Sequence, residues 1–178
     1  MRRPIAALAL SALALVTPSL APLPAAAQQE PEKVLESTSS GLNLSSVQAK
    51  VAQGDAAAAA GKLSQAKTDY DQALEAASYL VSAYRNLSGA FRGLDARIPR
   101  EMDQKGRDAT ELQANIELRL AALLRRMNQP QVAVPLLVRV VHRMSPTSPQ
   151  GQKAYQSLLE LGFVGTPYNA PTVVPAAQ

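Results

Sequence analysis

An all-α protein built of antiparallel helical hairpins is the fold class this sequence predicts, on three observations. Apolar residues recur at three- and four-residue intervals through most of the interior of the chain, the period of a helix with one buried face. Hydrophobic residues make up 47% of the 178, yet aromatics are only 4% and tryptophan is absent. Alanine therefore carries much of the apolar content, which predicts closely spaced helices with small contact residues. Third, the stretch Gly61–Leu74, GKLSQAKTDYDQAL, puts Ala66, Tyr70, Ala73 and Leu74 on one helical face, and that face returns later in the chain as Ala133, Leu137, Val140 and Val141.

Taken in order, Met1–Ala27 reads as a secretory signal: Arg2 and Arg3 form the positive start and Ile5–Val16 the apolar centre. Pro18, Pro22 and Pro24 follow, and Ala25-Ala26-Ala27 offers a small-residue cleavage site. Export to the periplasm or an equivalent extracytoplasmic compartment is the expected localisation, with cleavage near Ala27. The apolar run is short for a permanent anchor. Residues 28–44 are polar and are expected to be a disordered linker.

The helical repeat domain is expected over 45–163. Ser45 and Gln48 fit a capping box opening a first helix from about Ser46 to Ala60, with Val47, Val51, Gly54 and Ala58 inward and Gly61 as its stop. A second helix starts near Ser64. No Gly or Pro lies between Lys62 and Gly89, so it either runs on to Asn86 or breaks near Ala77–Tyr79; Leu80, Tyr84 and Leu87 continue its stripe. Ser88–Pro99 reads as a helix end and loop. Pro99 opens a short helical piece weakened by Gly106, and Asp108 with Glu111 forms a second capping box. The helix that follows runs to Met127 on a stripe of Leu112, Ile116, Leu120, Leu123 and Leu124, and Asn128 suits a left-handed ending.

Pro130–Met144 has the β-branched content of a strand and the apolar spacing of a helix; the helical reading is favoured, starting just before Pro135 because an interior proline loses a hydrogen bond. Ser148 as N-cap, Pro149 at the first position and Gly162 as the stop define a last helix, with Phe163 set to fold back on Leu158 or Leu159. Residues 164–178 hold Pro167, Pro171 and Pro175 and no charge, and are expected to be a flexible tail or a short extended recognition segment.

Several kinds of chemistry are excluded or disfavoured. The absence of cysteine removes disulfides, thiolate metal sites and thiol nucleophiles. His142 is the sole histidine, no phosphate-binding glycine loop or nucleophile elbow occurs, and Asp71 with Glu75 reads as a solvated helix face. No catalytic, cofactor or metal residue is assigned, and no enzyme activity is expected. The net charge of +4 is too small to argue for nucleic acid.

Charge is nevertheless uneven. From Gln28 to Tyr79 the balance is −3 and from Leu80 to Gln178 it is +5, and no acid occurs between Leu118 and Leu159. Arg119, Arg125, Arg126, Arg139 and Arg143, together with Tyr84, are the candidate partner-binding residues. They point to an acidic protein or peptide, to peripheral contact with an anionic membrane, or to the acidic half of a second copy, which leaves self-association open.

The repeated pattern resembles the tetratricopeptide repeat. Gly61, Ala66, Tyr70 and Ala73 stand where that family's second helix has Gly, Ala, a large residue and Ala. In the later copy Leu120, Ala121 and Leu124 match the first-helix positions; in the earlier one Gly54 and Ala57 do, but Gln53 replaces the usual Leu. The two units lie 67 residues apart, about twice the family's period. Leu80–Leu112 between them lacks the marks and reads either as a degenerate repeat or as a longer helix pair. The resemblance covers roughly Ser45–Gly162 and implies a non-catalytic adaptor that presents a concave groove to a peptide or partner protein. The alternative is a peripheral envelope protein using the basic face.

Overall fold

The computed structural model describes residues 42–168, which form five helices: α1 (Leu44–Ala59), α2 (Leu63–Ala90), α3 (Arg97–Arg126), α4 (Pro130–Met144) and α5 (Pro149–Glu160). No strand occurs among the described residues. The expected signal segment, the linker up to residue 41 and the tail from residue 169 lie outside them.

The start of α1 differs from expectation. Its N-cap is Asn43, whose Oδ1 accepts from the Ser46 amide at 2.7 Å while the Asn43 amide donates to Ser46 Oγ at 3.3 Å. The box thus sits two residues earlier than Ser45–Gln48. An asparagine is an equally good acceptor, and the longer helix brings Leu44 against the core. Val47, Val51, Gly54 and Ala58 are all buried, as their spacing implies.

Three helices end the same way. After α1, Gly61 takes φ +74°, and the Gly61 and Lys62 amides donate to the Ala58 and Ala57 carbonyls. After α3, Asn128 takes φ +59°, with Asn128 and Gln129 donating to Arg125 and Leu124. After α5, Gly162 takes φ +71°, with Gly162 and Phe163 donating to Leu159 and Leu158. Each is a Schellman ending that satisfies otherwise orphaned carbonyls. The Phe163 ring itself stays 58% exposed, so only the backbone half of that expected motif is used.

The turns at Gly61 and Asn128 occupy corresponding places in the two stretches of similar spacing. Two residues beyond each, a new helix starts, and the residues at equal distance into it are buried: Ala66 and Ala133, Tyr70 and Leu137, Ala73 and Val140. What lies between the two units is one long helix pair. α2 runs unbroken for 28 residues and α3 for 30. Of the two alternatives, the helix runs on: Ala77 and Leu80 are buried, so their packing holds it through the point of the alternative break. Asp108 does not cap a helix; it sits inside α3, where its carboxylate accepts from Gln104. α3 starts earlier, where Asp95 accepts from the Arg97 amide and Pro99 occupies the first turn, which needs no amide donor. Gly106 is carried within it at a cost of about 1 kcal/mol.

α4 is a helix, and Pro135 lies in its interior rather than at its start. The proline faces solvent while Ala133, Leu136, Leu137 and Val140 face inward, so burial outweighs the lost hydrogen bond. Val132 and Val138 are exposed, which accounts for the strand-like composition. The turn into α5 is tight: Ser145 takes φ +67°, Ser148 Oγ accepts from the Gly151 amide, and a Cβ on Gly151 would meet the Ser145 carbonyl oxygen at 1.9 Å. The first residues beyond α5 pack back on it. Val164 lies against the core, Tyr155 donates to the Thr166 carbonyl, and the Tyr155 and Tyr168 rings meet edge to face.

Each helix packs against its neighbours in sequence. In addition α1 and α5 both touch α3, whereas α2 and α4 do not touch one another. The array therefore has two layers, α1–α3–α5 and α2–α4, with α3 packed against all four others.

Candidate interaction groove

The five arginines proposed from the acid-free run are not presented together as one bare face; each joins two helices. Arg139 and Arg143 of α4 converge on Glu117 of α3, Arg139 Nε at 3.1 Å and an Arg143 guanidinium nitrogen at 2.6 Å. The Glu117 side chain is only 1% exposed, so two cations and their hydrogen bonds compensate a carboxylate removed from water. Arg119 holds Asp55 of α1 at 3.2 Å, and Arg125 holds Glu160 of α5 at 2.9 Å. Arg126 donates to the Ala58 carbonyl near the C-terminus of α1, where a cation complements the helix dipole. Tyr84 lies apart from them, half-buried on the far part of α2. The sequence run hid these pairings because the acids come from residues 55, 117 and 160, outside it.

Asp55 also accepts the Tyr70 hydroxyl at 2.5 Å. Burial and that hydrogen bond to a carboxylate push the Tyr70 phenol up to about 12, with Arg119 and Arg126 acting in the opposite sense. The ring in turn fills the space left by Gly54, where a Cβ would sit 2.6 Å from Tyr70 Cε1. Gly54, Asp55, Tyr70 and Arg119 thus lock α1, α2 and α3 together.

An open groove of about 760 Å³ runs between α3 and α5. Buried Leu118 and Ala121 of α3 and Leu137 of α4 contribute to its floor. Asn115, Arg119, Ala122 and Arg125 line one side at helical spacing, and Gln150, Lys153, Gln156 and Glu160 line the other. Arg119 and Arg125 are engaged with Asp55 and Glu160, but the Lys153 ammonium has no charged or hydrogen-bonding partner among the described residues. The combination suits an extended peptide. Carboxamides pair with backbone donors and acceptors, the floor takes an apolar side chain, and an exposed lysine without a counter-charge favours an acidic group.

Asn115, Lys153 and Gln156 were not singled out from sequence. Their signal was a polar edge beside an apolar stripe, and nothing in one dimension pairs the edge of α3 with that of α5. A second hollow of about 500 Å³ lies among α2, α3 and the end of α4, lined by Val81, Arg85, Met102, Arg107 and Met144. Among the described residues, no group of three or more His, Cys, Asp or Glu side chains is placed to hold a metal ion. No helix among them is long and apolar enough to cross a membrane. No protein-family model matches this chain, and neither a curated protein nor a solved structure shows significant similarity to it.

Proposed function

We propose that this chain is an exported, non-catalytic adaptor of tetratricopeptide-repeat type that binds an extended, acidic peptide segment of a partner protein in the α3–α5 groove. The observation that carries the reading is the groove itself: an apolar floor between two helices of the same layer, edged by carboxamides and by the unpaired Lys153. The turns at Gly61 and Asn128, with the equivalent burial of Ala66 and Ala133, support the repeat character. Export rests on Arg2, Arg3, the Ile5–Val16 run and the small residues before Gln28.

The test is a fluorescence-polarisation screen of acidic, neutral and basic peptides against the full chain and against Lys153→Glu and Asn115→Ala. Acidic peptides are expected to bind preferentially, and reversing the charge at 153 should weaken them by roughly tenfold, about 1.4 kcal/mol, with the urea midpoint unchanged. Equal binding by wild type and Lys153→Glu would remove the groove from the proposal.

A further inference from the structure

Apart from Lys153, free positive charge lies outside the acid-free run as well. Among the described residues the side chains of Arg85, Arg92 and Arg100 have no ion pair or hydrogen bond to the protein, and all three belong to the hairpin joining α2 to α3. That hairpin outreaches its neighbours. α1 has 16 residues against the 28 of α2, and α4 has 15 against the 30 of α3, so more than ten residues of each long helix run past the shorter one. Beyond Leu80 the only buried residue of α2 is Ser88, tied to Asp103 at 2.6 Å, and α3 has none before Ala109.

The apex is also where apolar side chains meet solvent. Leu87 is 45% exposed, Phe91 36% and Leu94 80%. Leu87 and Phe91 are one helical turn apart, and the Leu94 amide donates to the Phe91 carbonyl in the turn that follows, with Gly93 at φ +86°. The acids nearby are engaged: Asp95 is held by Arg97 and Glu101 by Lys105. Arg92 and Arg100 therefore flank an apolar tip with no protein counter-charge.

We propose that the apex of the α2–α3 hairpin docks on an anionic lipid bilayer surface, Phe91 and Leu94 entering the interfacial layer while Arg92 and Arg100 meet lipid phosphates. Charge complementarity selects this occupant, since interfacial cations beside exposed apolar side chains match an acidic headgroup layer above acyl chains. A protein partner fits the apex less well. Three apolar side chains at the end of a hairpin fall short of the roughly 800 Å² per partner of a stable interface. The proposal is independent of the α3–α5 groove.

The chain has no tryptophan, so Leu94→Trp supplies a local reporter at the most exposed large apolar position among the described residues. Full-length protein carrying it is titrated with vesicles of mixed phosphatidylglycerol and phosphatidylcholine, with vesicles of phosphatidylcholine alone, and with brominated acyl chains. A blue shift and bromine quenching are expected with the anionic vesicles only. Arg92→Gln with Arg100→Gln should lower partitioning about 25-fold at low salt, roughly fivefold per arginine, and Lys153→Glu should leave it unchanged. Because the signal comes from position 94, association through the apolar Ile5–Val16 run does not mimic it. An unshifted spectrum on anionic vesicles, an equal shift on neutral ones, or unchanged partitioning in the double glutamine variant overturns the proposal. So does a photo-crosslinker at position 94 that captures a protein and no lipid in cells. Absence of acidic-peptide binding by the wild-type chain, with vesicle docking intact, would count against the groove alone.

Discussion

Gly54→Ala is expected to destabilise this protein, against the ordinary trend for a glycine within a helix. Replacing an interior helical glycine by alanine normally stabilises by about 1 kcal/mol, because the backbone has less entropy to lose. Here the new Cβ would lie 2.6 and 2.7 Å from two carbons of the Tyr70 ring. The ring is 3% exposed and its hydroxyl is tied to Asp55 at 2.5 Å, so it cannot step aside freely. Overpacking of this kind costs about 1–3 kcal/mol. Losing a hydrogen bond to a charged acceptor adds about 1.5–3 kcal/mol. The net is a loss of about 1.5–5 kcal/mol, or roughly 5–20 °C in Tm for a domain of this size.

The later stretch of matching spacing supplies the control. The positions 67 residues on from Gly54 and Tyr70 are Ala121 and Leu137, both buried. Importing that pair, Gly54→Ala with Tyr70→Leu, should leave the protein within about 1 kcal/mol of Tyr70→Leu alone, since a smaller side chain accepts the methyl group. A double-mutant cycle by urea denaturation should therefore show a coupling of about 2–3 kcal/mol. A higher midpoint for Gly54→Ala, or equal effects in both backgrounds, would refute the packing argument.

Two further outcomes follow from the same joints. Glu117→Ala should cost about 3 kcal/mol, read as a lowered urea midpoint, because Arg139 and Arg143 lose their shared carboxylate; Arg139, half exposed, recovers part of its solvation. Tyr70 titrates higher in the folded chain, at about 12, than tyrosine does unfolded, near 10. Its contribution is therefore complete below pH 10 and is lost as pH rises through 12, where a phenolate would face Asp55. Urea midpoints between pH 9 and 11.5 should fall for the wild type and fall less for Tyr70→Phe.

Where local chemistry decides the backbone, the sequence was legible. Gly61, Asn128 and Gly162 end helices because few residues tolerate a positive φ, and Ser148 with Pro149 opens one because an exposed amide wants an acceptor. Local pattern misled where distant packing overrides it. Asp108 and Glu111 satisfy a capping pattern, yet Ala109, Gln113 and Ala114 are buried, and that packing carries α3 through. Pro135 argues for a helix start, yet the inward face of α4 carries the helix across it. The candidate arginines were visible as a run, but their partners were not.

By itself the chain determined its helical class, its turn positions and the small-residue faces that let helices approach, since each depends on neighbours within a few residues. Only the tertiary structure decided that α2 and α3 form one long pair, that Asp55, Glu117 and Glu160 take up four of the five candidate arginines, and that a groove opens between α3 and α5. Those outcomes depend on which side chains meet across tens of residues, where burial and charge compensation act between helices that a linear pattern cannot bring together.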